Sequence, residues 1–181
     1  GGGIAMCRVG GALADAELGD AVIVTDVGQN QMFGARYSRF NSTRSFITSG
    51  GLGTMGFGLP AAIGAKLGMP GREVVAILGD GGFQMTIQEL GTIKQEQLGL
   101  KIVVLNNSYL GMVRQWQNLF YGQRYSATVL NDAVDFVKLA EAMGAEGVRA
   151  STREEFKEAF AKALKSGHPV VIDCQIDSDD K

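Results

Sequence analysis

Histidine is almost missing from this chain. The one copy, His168, stands before Pro169 in a turn, which excludes a Ser-His-Asp hydrolase and a zinc site built from several histidines. Cysteine is nearly as scarce: Cys7 and Cys174 lie far apart with no CxxC or Cys/His ligand spacing. Two unpaired thiols in a reducing, cytoplasmic compartment are therefore expected. Charge of one sign is also lacking. Seventeen basic and nineteen acidic residues leave a net charge of −2, and the basic ones are scattered singly, so neither nucleic acid nor an anionic membrane meets an electrostatic footprint. The 21 uncharged positions between Arg44 and Lys66 hold six glycines, Pro60 and several hydroxyls, and read as buried loop and helix rather than a membrane span. The opening Gly1-Gly2-Gly3 has neither an initiator methionine nor a charged-then-apolar signal pattern, so a cloning scar or a domain cut from something longer is expected.

What is present in excess is glycine. Twenty-six of 181 residues, about 14% against a usual share of roughly 7%, fall in clusters rather than at a fixed period, which signals tight backbone work. Val/Ile-rich runs at 21–25, 73–78, 101–105 and 170–174 predict strands buried on both faces, with a shorter candidate at 46–48. Apolar spacing predicts helices near 8–18, 55–67, 84–97, 110–119, 133–143 and 153–165. In the last of these, Ser151 and Thr152 precede Glu154 and Glu155 as in a capping box, and Gly167 and Pro169 follow the final turn. The helix at 133–143 is expected to open at Asp132 and close at Gly144. Strands alternating with helices, undivided by linker or repeat, predict one α/β domain over 1–181. Its expected architecture is three-layer and doubly wound, around a mainly parallel sheet of about six strands.

Ligands of such sheets bind beyond the carboxyl ends of the strands. Three loops there are polar or glycine-rich: Asp26-Val27-Gly28-Gln29-Asn30, Gly79-Asp80-Gly81-Gly82, and Asn106-Asn107. Asp80 and Asn107 are separated by 27 positions, about one strand-helix-strand crossover, so both side chains reach the same sheet edge. A carboxylate and an amide oxygen, with room for a main-chain carbonyl, form a hard oxygen set suited to Mg²⁺ with phosphate oxygens as further ligands. Gly81 and Gly82 leave backbone N–H groups for a diphosphate. Taken singly, Gly-Asp-Gly-Gly is an ordinary turn and Asn-Asn an ordinary loop start; their spacing across one crossover is what favours metal plus diphosphate. Gly51-x-Gly53-x-x-Gly56 formally matches a dinucleotide fingerprint, but no acidic residue closes the next strand at the required distance. A nicotinamide domain is kept as the minor rival.

These residues carry a resemblance. GDGGFQMTIQEL followed by VVLNNSYLGMVRQWQ resembles the diphosphate-binding domain of thiamin-diphosphate enzymes. ITSGGLGTMGFGLPAAIGA and LGMVRQWQNLFYGQRYS are similar, more narrowly, to the C-terminal domain of acetolactate (acetohydroxyacid) synthase catalytic subunits. The resemblance implies that Asp80, Asn107 and the Tyr109 main-chain carbonyl ligate Mg²⁺. It implies that Val27, Gly28, Gln29 and Asn30 hold the diphosphate with Gly79, Gly81 and Gly82. Met55 falls where an apolar wedge bends the cofactor, Gly53 and Met112 border its pyrimidine, and Val113 and Trp116 border the substrate channel. Packing alone is the competing explanation for Met55 and for the helical repeat Val113, Trp116, Phe120. Asn30 stands where the family often has histidine, and Gly82 where serine is frequent.

The activity so implied decarboxylates pyruvate and joins its hydroxyethyl unit to a second 2-keto acid, in branched-chain amino acid biosynthesis. A pyrimidine-binding domain of a neighbouring subunit would supply a glutamate, and a middle domain would hold FAD. Neither is encoded here, so the chain is expected to be inactive alone, to form a homo-oligomer, and to meet a regulatory subunit in some relatives. Another thiamin-diphosphate carboligase or decarboxylase, or a non-catalytic cofactor-binding module, are the alternatives.

Overall fold

The computed structural model describes residues 3–16, 18–130 and 134–177. Six strands form one sheet in the order β2-β1-β3-β4-β6-β5: β1 (Val22–Thr25), β2 (Phe46–Ile47), β3 (Val74–Gly79), β4 (Lys101–Asn106), β5 (Glu146–Ala150) and β6 (Val170–Gln175). Every pairing is parallel. Because successive side chains of a strand point to opposite faces, the uninterrupted Val/Ile runs feed two cores at once. On one face Val74, Ala76, Leu78, Ile102 and Val104 pack with Leu59, Phe83, Ile93 and Phe136; on the other Val75, Ile77, Val103 and Ile172 pack with Val9, Leu13, Phe156 and Phe160. The fold is thus the three-layer, doubly wound α/β class expected.

The helices are α1 (Met6–Asp15), α2 (Gln29–Tyr37), α3 (Gly58–Gly68), α4 (Asp80–Met85), α5 (Glu89–Gln95), α6 (Gly111–Phe120), α7 (Phe136–Ala142) and α8 (Arg153–Lys165). α8 carries the capping box foreseen for it: Thr152 Oγ1 accepts the Glu155 N–H at 3.2 Å and Glu155 Oε2 accepts the Thr152 N–H at 3.2 Å. Three expected helices are corrected and two elements were missed. The helix expected at 84–97 is two helices, because Thr86 leaves the helix and donates its hydroxyl to the Gly56 carbonyl at 3.2 Å. The helix expected from 55 starts at Gly58, and Met55 sits in the preceding turn. α2 and β5 were not expected at all. For the helix expected at 133–143, Asp132 lies outside the described residues; Asp135 caps α7 by accepting the Val137 and Lys138 N–H groups.

β2 lies on one side of β1 and β3 on the other, so the chain changes winding direction between β1 and β3. That crevice, at the strand ends, is where this class of sheet binds ligands.

Candidate functional site

An open pocket lies at that crevice, where this class of sheet takes its ligands. The three expected loops all reach it. Val27, Gly28, Gln29 and Asn30 line it after β1; Gly79, Asp80, Gly81 and Gly82 after β3; Asn107 and Tyr109 after β4; Met55, Met112 and Val113 complete the expected set. Gly53 and Trp116 stand outside the lining. Gly53 has φ 62°, a left-handed conformation suited to glycine, and a Cβ there would lie 3.9 Å from Val27 Cγ1. Trp116 is 55% exposed, on the outer side of α6. Met6, Leu105, Leu110 and Gly111 also line the pocket and were missed, since nothing in their local spacing sets them apart from core residues.

Asp80 is only 4% exposed. Its Oδ1 accepts the Gly81 N–H at 2.8 Å and its Oδ2 the Ser108 N–H at 2.7 Å, so the β3 and β4 loops are in direct contact. Burial pushes the Asp80 carboxyl up from 3.8 to about 6, against the backbone N–H groups of Gly81, Ser108 and Asp80 that lower it, with nearby Asp173 adding to the rise. Asn107 spans the pocket: its Nδ2 donates to Gln29 Oε1 at 3.4 Å and its Oδ1 accepts the Tyr109 N–H at 3.1 Å. Tyr109 faces Val129 as a non-hydrogen-bonded antiparallel pair, bracketed by Leu110 N–H to the Thr128 carbonyl at 2.8 Å and Leu130 N–H to the Ser108 carbonyl at 2.9 Å. In such a pair the residue's own N–H and C=O point away from the partner strand. Tyr109 therefore directs its carbonyl to the same side as the N–H that meets Asn107.

The opposite wall is the first turn of α2. Gly28, with φ 121°, precedes it and no side chain caps it, so the first N–H groups have no helical acceptor and favour an anion. Asn30 is buried and donates to the Ile77 carbonyl at 3.0 Å. One of its two N–H donors thus anchors α2 to β3. Glycine is required where the walls close in. A Cβ on Gly81 would come within 2.7 Å of Leu110 Cδ2, one on Gly111 would overlap Gln29 Oε1, and one on Gly82 would overlap the Asp26 carboxylate. That last contact is the physical reason serine does not fit at position 82.

Asp26 is the residue sequence reasoning named but assigned no role. Buried at the end of β1, its carboxylate accepts the N–H groups of Val27 at 2.8 Å, Gly56 at 3.2 Å and Gly58 at 2.8 Å. Of the three glycines that mimic a dinucleotide fingerprint, Gly56 donates to this carboxylate of the chain itself. Gly58 also brings α3 so close to the sheet that a Cβ would come within 2.8 Å of the Asp26 nitrogen.

The donor set fits a diphosphate held through a hard divalent cation: one buried carboxylate, one amide oxygen, one outward carbonyl, and facing them an uncapped helix start lined with glycine. Residues 26–174 match the model of the family described as thiamine pyrophosphate enzyme, C-terminal TPP binding domain. The chain belongs to that family. It is 50% identical over 165 residues to the acetolactate synthase isozyme 2 large subunit of Escherichia coli K12, covering 91% of this chain and 30% of that protein. It is also 50% identical over 163 residues to the probable acetolactate synthase large subunit of Methanocaldococcus jannaschii, covering 90% of this chain and 28% of that one. The chain thus spans about a third or less of the curated relatives it matches. A solved structure of Rhodococcus jostii RHA1 thiamine diphosphate-dependent 4-hydroxybenzoylformate decarboxylase superposes with a TM-score of 0.90 at 28% identity, covering all of this chain and 34% of that one.

The buried Asp80 carboxyl sets a pH dependence for this thiamin-diphosphate-binding domain. Its folded pKa, about 6, exceeds the unfolded value of 3.8, so the metal-free fold binds more protons than the unfolded chain between those values. Stability of the metal-free chain should therefore fall as pH rises from 4 to 6, by at most about 3 kcal/mol from this group. A cation bound by the carboxylate competes with the same proton, and its apparent affinity should be about tenfold weaker at pH 5 than at pH 7. Calorimetric Mg²⁺ titrations at the two pH values check this; equal affinities would contradict it.

Proposed function

We propose that this chain is the thiamin diphosphate and Mg²⁺ binding part of an acetolactate synthase. The observation that carries this reading is the junction of the two loops: Asp80 Oδ2 accepts the Ser108 N–H, so the carboxylate after β3 and the Asn107 loop after β4 share one rim. Asp80, Asn107 and the Tyr109 carbonyl would hold the cation. The N–H groups of Gln29 and Asn30, with Gly81 and Gly82, would take the diphosphate oxygens, and Val27, Gly28 and Gly79 would let it approach the backbone. Met55 and Met112 offer apolar walls for the rings, with Gly53 behind Val27. When bound, the cofactor supplies the electron sink for decarboxylating a 2-keto acid; the residues of this chain bind it, orient it and keep its charged end neutralised.

The choice of a synthase over a decarboxylase rests on similarity, 50% to the acetolactate synthase subunits against 28% to the decarboxylase. The substrates would be pyruvate and a second 2-keto acid. α6 supports a partner domain as well. None of its residues is buried, and Trp116, Leu119 and Phe120 are exposed at 55%, 62% and 74%. Packing within the chain thus does not account for its apolar repeat, and a pyrimidine-binding domain of a neighbouring subunit is the proposed cover. Val113 at the pocket and Trp116 beyond it would then border the substrate channel between the two. FAD would belong to another part of the full protein. No described helix is long and apolar enough to cross a membrane, and an exposed Cys7 with a buried Cys174 fits a reducing cytoplasm.

The test is a chimaera in which this chain replaces the matching segment of the Escherichia coli isozyme 2 large subunit. Acetolactate formation from pyruvate is expected from the chimaera and not from the chain alone with Mg²⁺ and thiamin diphosphate. Acetolactate from the isolated chain would refute the dependence on a second domain. A folded chimaera that retains cofactor but releases only acetaldehyde would refute the synthase reading in favour of a decarboxylase.

A further inference from the structure

A buried polar chain runs from the edge of the sheet to the Asp80 carboxylate. Arg149 on β5 donates through Nε to Asp173 Oδ2 at 3.1 Å and through Nη2 to Asp135 Oδ1 at 2.9 Å. Asp173, directly opposite it on β6, is 1% exposed. Its Oδ1 accepts Asn106 Nδ2 at 3.0 Å. Asn106 ends β4, and its Oδ1 accepts the Ser108 N–H at 3.3 Å. The same Ser108 N–H donates to Asp80 Oδ2.

The chemistry of this chain allows one orientation of the Asn106 amide. Ionised Asp173 can only accept and the Ser108 N–H can only donate, so the Asn106 nitrogen must face Asp173 and its oxygen must face Ser108. Ser108 needs such support, because its φ of 61° is a left-handed conformation that costs a residue with a side chain. From that conformation the next two residues turn: the Tyr109 N–H meets Asn107 Oδ1 and the Tyr109 carbonyl faces away from the Val129 strap.

We propose that Asp173 is a positioning residue for the cation loop: by accepting from Asn106 it orients that amide, which holds Ser108 in place and presents Asn107 and Tyr109 beside Asp80. The proposal rests on the reading of Asp80, Asn107 and Tyr109 as cation ligands. Arg149, paired with Asp173 and itself half exposed, holds the Asp173 carboxylate in orientation.

Asp173→Asn tests it. The new amide can serve Arg149 or Asn106 with its oxygen but not both, so either the Arg149 Nε–H loses its acceptor while Nη2 keeps Asp135, or Asn106 flips and turns its nitrogen on the Ser108 N–H. Mg²⁺ affinity at saturating thiamin diphosphate should weaken at least about tenfold, the usual cost of losing a group that orients a metal ligand. In the metal-free chain, amide exchange at Ser108 should accelerate while that of Val103 on β4 does not. Asp173→Asn combined with Asn106→Asp restores every pairing, since the new amide at 173 donates to the new carboxylate at 106, which still accepts from Ser108. The double variant should recover most of the Mg²⁺ affinity. Lowered thermal stability with unchanged Mg²⁺ affinity and unchanged Ser108 exchange would reduce Asp173 to a structural role and overturn the proposal. If Asp173→Asn does not fold, Arg149→Gln on the half-exposed side chain should weaken Mg²⁺ about threefold, and no change there overturns the proposal equally. Asp80→Ala separates the two readings. Unchanged Mg²⁺ binding in that variant defeats the ligand assignment itself, whereas its loss alongside a silent Asp173→Asn defeats only the positioning role.

Discussion

Asp80→Ala is expected to abolish Mg²⁺-dependent retention of thiamin diphosphate. Among the described residues Asp80 is the one carboxylate lining the pocket, and a hard cation taken from water needs anionic oxygen to replace its hydration. The neutral Asn107 and Tyr109 oxygens do not supply it. The substitution also removes the carboxylate that accepts the Gly81 and Ser108 N–H groups, so the two loops lose their direct link while Ser108 keeps Asn106 Oδ1. Calorimetric affinity for thiamin diphosphate in the presence of Mg²⁺ should fall at least about a hundredfold, to the level measured without the metal. Folding should survive, because removing an acid held at a raised pKa relieves a desolvation cost. Retained Mg²⁺-dependent affinity would mean that the cation sits elsewhere.

Asp26→Ala should have the largest effect on stability. Three backbone N–H groups, of Val27, Gly56 and Gly58, converge on its carboxylate. Truncation leaves them without acceptors in a buried setting, at a cost of about 3 kcal/mol or more. For a chain of this size that corresponds to a drop in Tm of roughly 6–12 °C. Asp26→Asn keeps the volume but offers one acceptor fewer and turns N–H groups on an N–H, so it should fall between Asp26→Ala and the parent. Thermal unfolding followed by circular dichroism measures both. A Tm within 2 °C of the parent for Asp26→Ala, using the same scale, would show that water replaces the carboxylate.

The parts of the fold that were legible in the sequence are those buried on both faces. β3, β4 and β6 are strands whose residues are almost all enclosed, and only unbroken Val/Ile runs satisfy two apolar faces at once. Their spacing then brought Asp80 and Asn107 to one rim without further information. α2 escaped notice because its burial is not apolar. Only Asn30 and Gly34 are enclosed in QNQMFGARY, and Gly34 approaches so closely that a Cβ would lie 2.5 Å from Thr25 Cγ2. A helix that packs through a glycine and an amide shows no apolar stripe. β5 was hidden for a related reason: as an edge strand it pairs only with β6, and in EGVRA only Ala150 is buried. The break between α4 and α5 depends on the Thr86 hydroxyl reaching Gly56, thirty positions away, and no local pattern encodes it. Asp26 is similar. An acid at the end of an apolar run reads as a loop start, and its three N–H partners become visible only when α3 is folded back on β1. α6 lies where its apolar repeat predicts, yet none of its residues is buried among the described residues.

The central claim is that one divalent cation is held jointly by the loops after β3 and β4. Crystals of the chain grown with thiamin diphosphate and Mn²⁺ in place of Mg²⁺ test it through the anomalous signal of the metal. A single strong peak within bonding distance of the Asp80 carboxylate, the Asn107 side-chain oxygen and the Tyr109 carbonyl is the predicted result. A peak that contacts only one of the two loops, or bound thiamin diphosphate with no metal peak between them, would contradict it.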